Sequence, residues 1–517
     1  MSKHSQSEGI GRRTAWSGTA LFVLLIPAAA KLALHLLTVR GYGIHGDELY
    51  YLACSDHLDW GYVDQPPLSL LLLHMQRLVF GDSLLSLRAL PALAGSLTVL
   101  LTGLLAHRLG AKTFGQLLAE LCALIAPAYL AVSHIFSMNV FDLVLWLAAL
   151  HLIVRIIDGG APTLWVWLGL VVGLGFQNKL SILFLCFGLA VGLLLTKERR
   201  SLFTPWLGAG VGLAALLMLP NIIWQATHGW PTLEWMANAR SMKMVSLTLP
   251  AYLLEQVILM HPLTVLVWGA GLVSLLFYRS LARYRSLGWC YLIVLAMLVG
   301  QGGKPYYFIP IYPLLFAAGA IVIERSLKAG WARAAVAVVL LAAGAALAPT
   351  GLPLLPPEGL IKYSNALGIH ASSGERSAQG RIPWFFATMF GWEELVAKVD
   401  DVYRTLPPED QAKCSIFCRN YMQAGAVDFY GWRYHLPQAI CGHNNYWLWG
   451  LRGYSGEVMI VLGGKVDELK QYYEDVTEFG RFEDEYIQPI HNNLPIFVVG
   501  RPKQPLALLW PKIKNYI

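Results

Sequence analysis

The sequence predicts a polytopic α-helical membrane protein that carries a small soluble α/β domain at its C-terminal end. Three observations predict it. Of the 517 residues, 56% are hydrophobic and only 14% are charged, whereas soluble domains are usually about a quarter charged. The apolar residues fall in runs close to the ~20 residues that cross a bilayer. Beyond residue 350 the pattern changes to short apolar stretches of strand length between polar segments. The formal charge of +7 comes from Lys and Arg in the loops between apolar runs. That is the pattern of membrane orientation, not of nucleic-acid binding.

The elements follow in order. "MSKHSQSEGIGRR" is short and basic, and the apolar run after it is too long for a signal peptide and lacks a small-residue cleavage site. It reads as an uncleaved first span. Spans are expected near 15–37, 86–107, 113–132, 139–157, 162–177, 180–196, 203–224, 259–278, 286–300, 306–323 and 331–349, about eleven in all. The segment 67–80, "PLSLLLLHMQRLVF", is shorter and carries His74 and Arg77, which suits a helix lying along the interface.

Alternate loops hold Arg12/Arg13, Arg108/Lys112, Arg155, Lys197/Arg199/Arg200, Arg279/Arg283/Arg285 and Arg325/Lys328/Arg333. Placing these in the cytoplasm puts the N-terminus there too. The loops 38–85, 133–138, 178–179, 225–258 and 301–305 then face outward, with everything after 350. The proline-rich "APTGLPLLPPEGL" divides a membrane domain, 1–349, from a soluble domain, 350–517. In that domain "MFGWEELVAKVDDVYRTL" has helical periodicity, and "SIFCRNY", "QAICGHN", "EVMIVLGG" and "LPIFVVGR" read as strands, with "VDELKQYYEDV" helical between the last two. Gly463–Gly464 lacks the rest of a dinucleotide fingerprint and reads as a tight turn. The seven cysteines have no zinc spacing; Cys418 and Cys441 are expected to pair if this domain is exported, with Cys414 as a competitor.

The chemistry-bearing groups gather on the outward side. "GYGIHGDELYYLACSDHLDWGYVDQPPLS" follows the first span and holds Asp47 and Glu48 beside Tyr50 and Tyr51. Asn139 and Asp142 stand at the outer start of a span, Lys179 at the junction of two spans, and Lys304 before a Tyr pair. Ionisable residues within spans are functional candidates by default, although Lys179 and Lys304 could also snorkel to the interface. Carboxylates facing lysines at a membrane suit sugar transfer from a lipid-linked phosphate. A carboxylate can take the proton of an acceptor hydroxyl, and cations can hold the leaving phosphate. Asp47, Asp64 and Asp142 could hold a divalent ion, while Lys179 and Lys304 could neutralise phosphate without one.

"GDELYYL", "VDQPPL", "SHIFSMNVFDLVLW", "GLGFQNKLSILF", "LPNIIWQATHGWPTLEW" and "GKPYYFIPIYPLLFAAGA" resemble, in order, the bacterial dolichyl-phosphate-mannose protein mannosyltransferase-like superfamily, which includes aminoarabinose transferases. The resemblance implies a GT-C fold, a periplasm-facing site in the bacterial inner membrane, and a polyprenyl-phosphate sugar donor used with inversion. The acceptor would be lipid A, another lipid or glycan, or a protein. It makes Asp47 the candidate base with Glu48 in support, and Asp142, or Asn139 in its place, a further acidic position. Arg88, Lys179, Lys304 and Tyr307 would hold phosphate or donor. Asp64 falls where aminoarabinose transferases carry a Glu-Lys-Pro-Pro run, but Gln65 stands here for the lysine. "NYMQAGA" departs from the family's Asn-Tyr-Gly-Glu run at Met422 and Gln423. The loop 225–258, with His228, would cover the site, and "GHNNYWLWG" would contact acceptor or pack on the membrane part. The rivals are a transporter of lipid-linked sugars, against which no internal repeat is seen, and a non-catalytic scaffold for the tail domain.

Overall fold

The computed structural model describes residues 18–368, 378 and 380–517. Arg12 and Arg13, on which part of the orientation rests, lie outside the described residues. The membrane part runs α1 Gly18–Thr38, α2 Gly46–Asp56, α3 Leu68–Phe80, α4 Leu84–Leu109, α5 Thr113–Ile125, α6 Pro127–Val132, α7 Met138–Ile157 and α8 Leu164–Asn178. It continues with α9 Ile182–Leu194, α10 Pro205–Thr227, α11 Pro231–Asn238, α12 Leu249–Leu259, α13 Val265–Phe277, α14 Arg285–Gly300, α15 Tyr312–Ser326 and α16 Gly330–Leu347.

The expected spans are helical, but the count of eleven is not reached by helices long enough to cross alone. By length and composition six of the described helices can span a membrane, or seven if α12 and the helix from Pro262 to Phe277, bent by 107°, form one span. For α5, α8 and α9 the reason lies in local breaks. Pro127 forces Ala126 into extended backbone and separates α5 from α6. Extended Lys179 separates α8 from α9. With 15 and 13 residues these two helices are about 20 Å long, short of a ~30 Å hydrocarbon core. α3 buries Leu70, Leu73 and Gln76 and leaves Leu78, Val79 and Phe80 exposed, an apolar outer face in keeping with the interfacial reading.

The C-terminal part holds one mixed sheet of β1 Cys414–Cys418, β2 Ala439–Cys441, β3 Val458–Leu462, β4 Tyr473–Phe482 and β5 Leu494–Pro502, in the order β2-β1-β3-β5-β4. β1 runs parallel to β2 and β3, and β5 antiparallel to β3 and β4. One expectation is corrected here. The helix foreseen over 466–476 stops at Leu469, and Tyr473–Phe482 is a strand, because β5 offers it a full antiparallel partner. The expected disulfide is also absent. Cys418 and Cys441 face each other in register on neighbouring parallel strands, yet both are free, buried thiols.

The two parts share a core. Leu49, Tyr50, Leu52 and Ala53 of α2 are buried in one cluster with Leu395, Val396, Ile416, Val427 and Ile460. The helix Tyr421–Tyr430 lies so close to α2 that a Cβ on Gly425 would stand 2.8 Å from the Leu49 carbonyl carbon and 2.9 Å from its oxygen. Gly425→Ala is therefore expected to destabilise the protein by about 1–3 kcal/mol, read as a lower unfolding temperature and easier proteolysis beyond residue 350. An unchanged unfolding temperature would mean that the packing is looser than described.

Candidate functional site

The loop leaving α1 turns into α2 through "GIHGDE". His45 is the N-cap: its Nδ1 accepts the Asp47 amide at 3.0 Å, and the Glu48 carboxylate accepts the His45 amide at 2.9 Å. This reciprocal cap, with two acids in the positive first turn, is why the sequence begins a helix here. It also separates the fates of the adjacent acids.

Glu48 is 0% exposed. Besides the His45 amide it accepts Arg88 Nη2 at 2.9 Å, Arg88 Nε at 3.2 Å and the Phe136 amide at 2.8 Å. Arg88 from α4 is likewise consumed, donating also to the carbonyls of Val39 and Gly43 and meeting His134 Nε2 at 3.2 Å. Neither side chain faces open space, so the geometry makes Arg88 a tie between α4, α2 and the 133–137 turn rather than a phosphate ligand. Asp47 is 36% exposed at its side chain and accepts one hydrogen bond, from the Tyr421 hydroxyl at 3.0 Å.

Asp64 lies close enough to Asp47 for the two charges to interact. It accepts from the Tyr50 hydroxyl at 2.9 Å and from Asn444 Nδ2 at 3.3 Å. Loss of water pushes its pKa up to about 6; the Tyr50 bond opposes this, the Asp47 charge adds to it, and Lys243 from the 225–258 loop lowers it. The folded protein thus binds a proton on Asp64 below about pH 6 that the unfolded chain takes up only near its ordinary 3.8. This group's destabilising contribution is full above about pH 6 and relieved as pH falls toward 3.8. The parent is expected to gain stability relative to Asp64→Asn when acidified through that window; a melting difference that ignores pH would contradict the placement.

The tail loop "GHNN" seats on this region. Asn445 Oδ1 accepts the Val63 amide at 2.9 Å and its Nδ2 donates to the Tyr50 hydroxyl at 2.8 Å. Asn444 adopts φ 47°, in the region that favours glycine. His443 donates from Nε2 to the Ile517 carbonyl at 2.9 Å, and burial lowers its pKa to about 4, so it stays neutral.

A second group lies at the α7, α8 and α9 ends. Lys179 Nζ donates to Asn139 Oδ1 at 2.8 Å, stands 3.9 Å from Asp142 and lies 4.7 Å from the Tyr307 ring centre. Lys304 Nζ lies 5.8 Å from the Tyr306 ring centre. Asp142 is fully buried and accepts the Ser181 hydroxyl at 2.6–2.7 Å. Asp142 is thereby the buried counter-charge of Lys179 and not an exposed acid. The two groups are joined by hydrogen bonds: the Met138 amide donates to the Tyr51 hydroxyl at 3.2 Å, and Asn178 Nδ2 donates to the Met138 carbonyl at 2.9 Å.

His228 is not brought to either group. Its ring stacks on Trp224 at 4.2 Å and its Nδ1 contacts the Trp224 carbonyl; Trp224 Nε1 in turn donates to Asp59 at 2.7 Å. Asp56 pairs with Arg77. Nor do Asp47, Asp64 and Asp142 form a divalent-ion set: among the described residues no group of three or more His, Cys, Asp or Glu is placed to hold a metal, because Asp142 is turned to Ser181 and Lys179. Tyr421, Ser181 and Asn178 are the contributors that the sequence did not mark. All three lie within the motifs "NYMQAGA" and "GLGFQNKLSILF", but only their partners across the chain give them roles.

Residues 64–224 match the family model described as dolichyl-phosphate-mannose-protein mannosyltransferase. The match includes Asp64, Arg88, Asn139, Asp142 and Lys179 and begins after Asp47. No curated protein matches the chain. Among solved structures, ArnT from Cupriavidus metallidurans bound to undecaprenyl phosphate is similar at TM-score 0.61 and 12% identity, over 93% of this chain and 98% of that one. The same protein in the apo state is similar at TM-score 0.60 and 14% identity, over the same shares. At such identity the likeness is one of fold. The family match over 64–224 and the likeness of fold agree on a GT-C architecture for a multi-pass membrane protein, and over those residues the chain resembles the dolichyl-phosphate-mannose-protein mannosyltransferase family.

Proposed function

We propose that the chain is an inverting glycosyltransferase of a bacterial inner membrane, moving a sugar from a polyprenyl-phosphate donor to an acceptor on the outer face. The observation that carries this reading is the unequal fate of the two adjacent acids. Glu48 is spent on structure, while Asp47 keeps a partly exposed carboxylate at the seam between the membrane part and the C-terminal sheet. A carboxylate so held can take the proton of an acceptor hydroxyl as it attacks the anomeric carbon.

Lys179 is the best candidate for the leaving phosphate. Asn139, Asp142 and Tyr307 fix its ammonium in place, and a fixed cation stabilises developing phosphate charge without reorganising. Orientation fits as well. The basic clusters at 197–200 and 283–285 sit at the ends of α9 and α14 opposite Lys179 and Lys304, as a cytoplasmic placement of those clusters requires. The structure of ArnT with undecaprenyl phosphate supports a polyprenyl-phosphate ligand for this fold.

Purified protein given labelled polyprenyl-phosphate sugar and an envelope extract is expected to release polyprenyl phosphate and label one acceptor class. Lys179→Met should raise the donor KM about tenfold or more, equivalent to about 1.4 kcal/mol. Transfer with an unaltered donor KM would remove Lys179 from the site, and no release with any extract would remove the reading. Mass spectrometry of the lipids and glycans lost on gene deletion then identifies the acceptor.

A further inference from the structure

We infer that the chain has a second phosphate-binding site, at the end of the bundle opposite Asp47, that takes the headgroup of an anionic phospholipid from that leaflet.

Two short 3-10 turns build it: Lys197–Leu202 after α9 and Arg279–Tyr284 before α14. They meet because α9 carries "GLAVG". A Cβ on Gly188 would stand 2.7 Å from Val294 and 2.9 Å from the Cys290 sulfur, and Gly192 faces the Ser286 carbonyl directly. Small residues four apart let two membrane helices touch backbone to backbone, which sets the two turns side by side.

Between them lies a cavity of about 850 Å³ lined by Lys197, Arg199, Arg200, Arg283 and Arg285, with Glu198 as the only acid. Arg283 is paired with Asp158 at 3.4 Å, and Arg285 donates to the Leu276 carbonyl at 2.7 Å. Lys197, Arg199 and Arg200 make no side-chain hydrogen bond or ion pair among the described residues. Orientation in a membrane needs positive charge in a loop; it does not need two distant loops folded around one concavity. Several cations sharing a concavity repel one another unless an anion joins them, and basic pockets between membrane helices are recognised lipid-headgroup sites.

The surroundings select a lipid over a soluble anion. Phe203 is 82% exposed and Phe277 72%, with Leu194, Leu195, Trp206 and Tyr278 also exposed. These residues flank the two turns, where acyl chains would run beside a bound headgroup and where aromatic residues mark the membrane interface. The site is separate from the proposed donor site: α9 and α14 lie between it and Lys179 and Lys304.

The test uses the full chain in mild detergent, read by native mass spectrometry and thermal unfolding with phosphatidylglycerol, phosphatidylcholine or glycerol phosphate added. Phosphatidylglycerol is expected to remain bound and raise the unfolding temperature, while phosphatidylcholine and glycerol phosphate do neither. Each of Arg199→Gln and Arg200→Gln should weaken phosphatidylglycerol binding about fivefold, from ~1 kcal/mol per cation near a lipid surface. Lys328→Gln, which removes charge from the same side outside the cavity, should leave binding unchanged. Equal stabilisation by glycerol phosphate would show a soluble-anion site, and equal binding by phosphatidylcholine, or by the Arg199 and Arg200 variants, would show no headgroup site. Any of these overturns the inference, and each is independent of whether sugar transfer is observed.

Discussion

Asp47→Asn is expected to lower sugar transfer by about 10²–10⁴-fold, the usual contribution of a positioned acid–base group, while leaving the protein folded. Asparagine keeps an oxygen for the Tyr421 hydroxyl, and the side chain is 36% exposed, so no buried charge or cavity is created. The unfolding temperature should correspond to a change within about 1 kcal/mol. The assay is turnover of labelled donor by protein shown by its melting curve to be native. Turnover within a few-fold of the parent would end the assignment of Asp47 as base.

The opposite pattern is expected one residue on. Glu48→Gln should destabilise the protein by about 3–5 kcal/mol, because Arg88, 2% exposed, is left as a buried cation without its counter-charge. Arg88→Met should do similar damage by stranding Glu48. The double variant should cost less than the sum of the two, the signature of a direct pair. Activity would fall only as far as folded protein is lost. A Glu48→Gln protein with parental stability and no turnover would instead return Glu48 to the chemistry.

The two acids are alike in the sequence and unlike in the fold. "GDELYYL" placed both carboxylates at the outer end of the first span, since a chain leaving hydrocarbon can carry charge only where water returns. Nothing within the motif distinguishes them. The difference comes from Arg88, Phe136 and Tyr421, all distant in sequence. The same holds for Lys179, whose partner Asn139 lies on another helix, and for Asp142, whose hydroxyl donor Ser181 lies at the start of another helix. His228 read as part of a loop covering the site, and in the fold its ring stacks on Trp224.

The sequence by itself determined the apolar helices and four of the five strands. Each of these is set by local demands: hydrocarbon must be met by apolar side chains, internal backbone hydrogen bonds must close within a helix, and proline breaks both helix and strand. Only the tertiary structure decided that Tyr473–Phe482 pairs as a strand, that α2 belongs to the core of the C-terminal part, and which of the gathered charges are spent and which stay open. Those outcomes depend on partners brought together across the chain, and the energy of a buried charge is fixed by its neighbours in space.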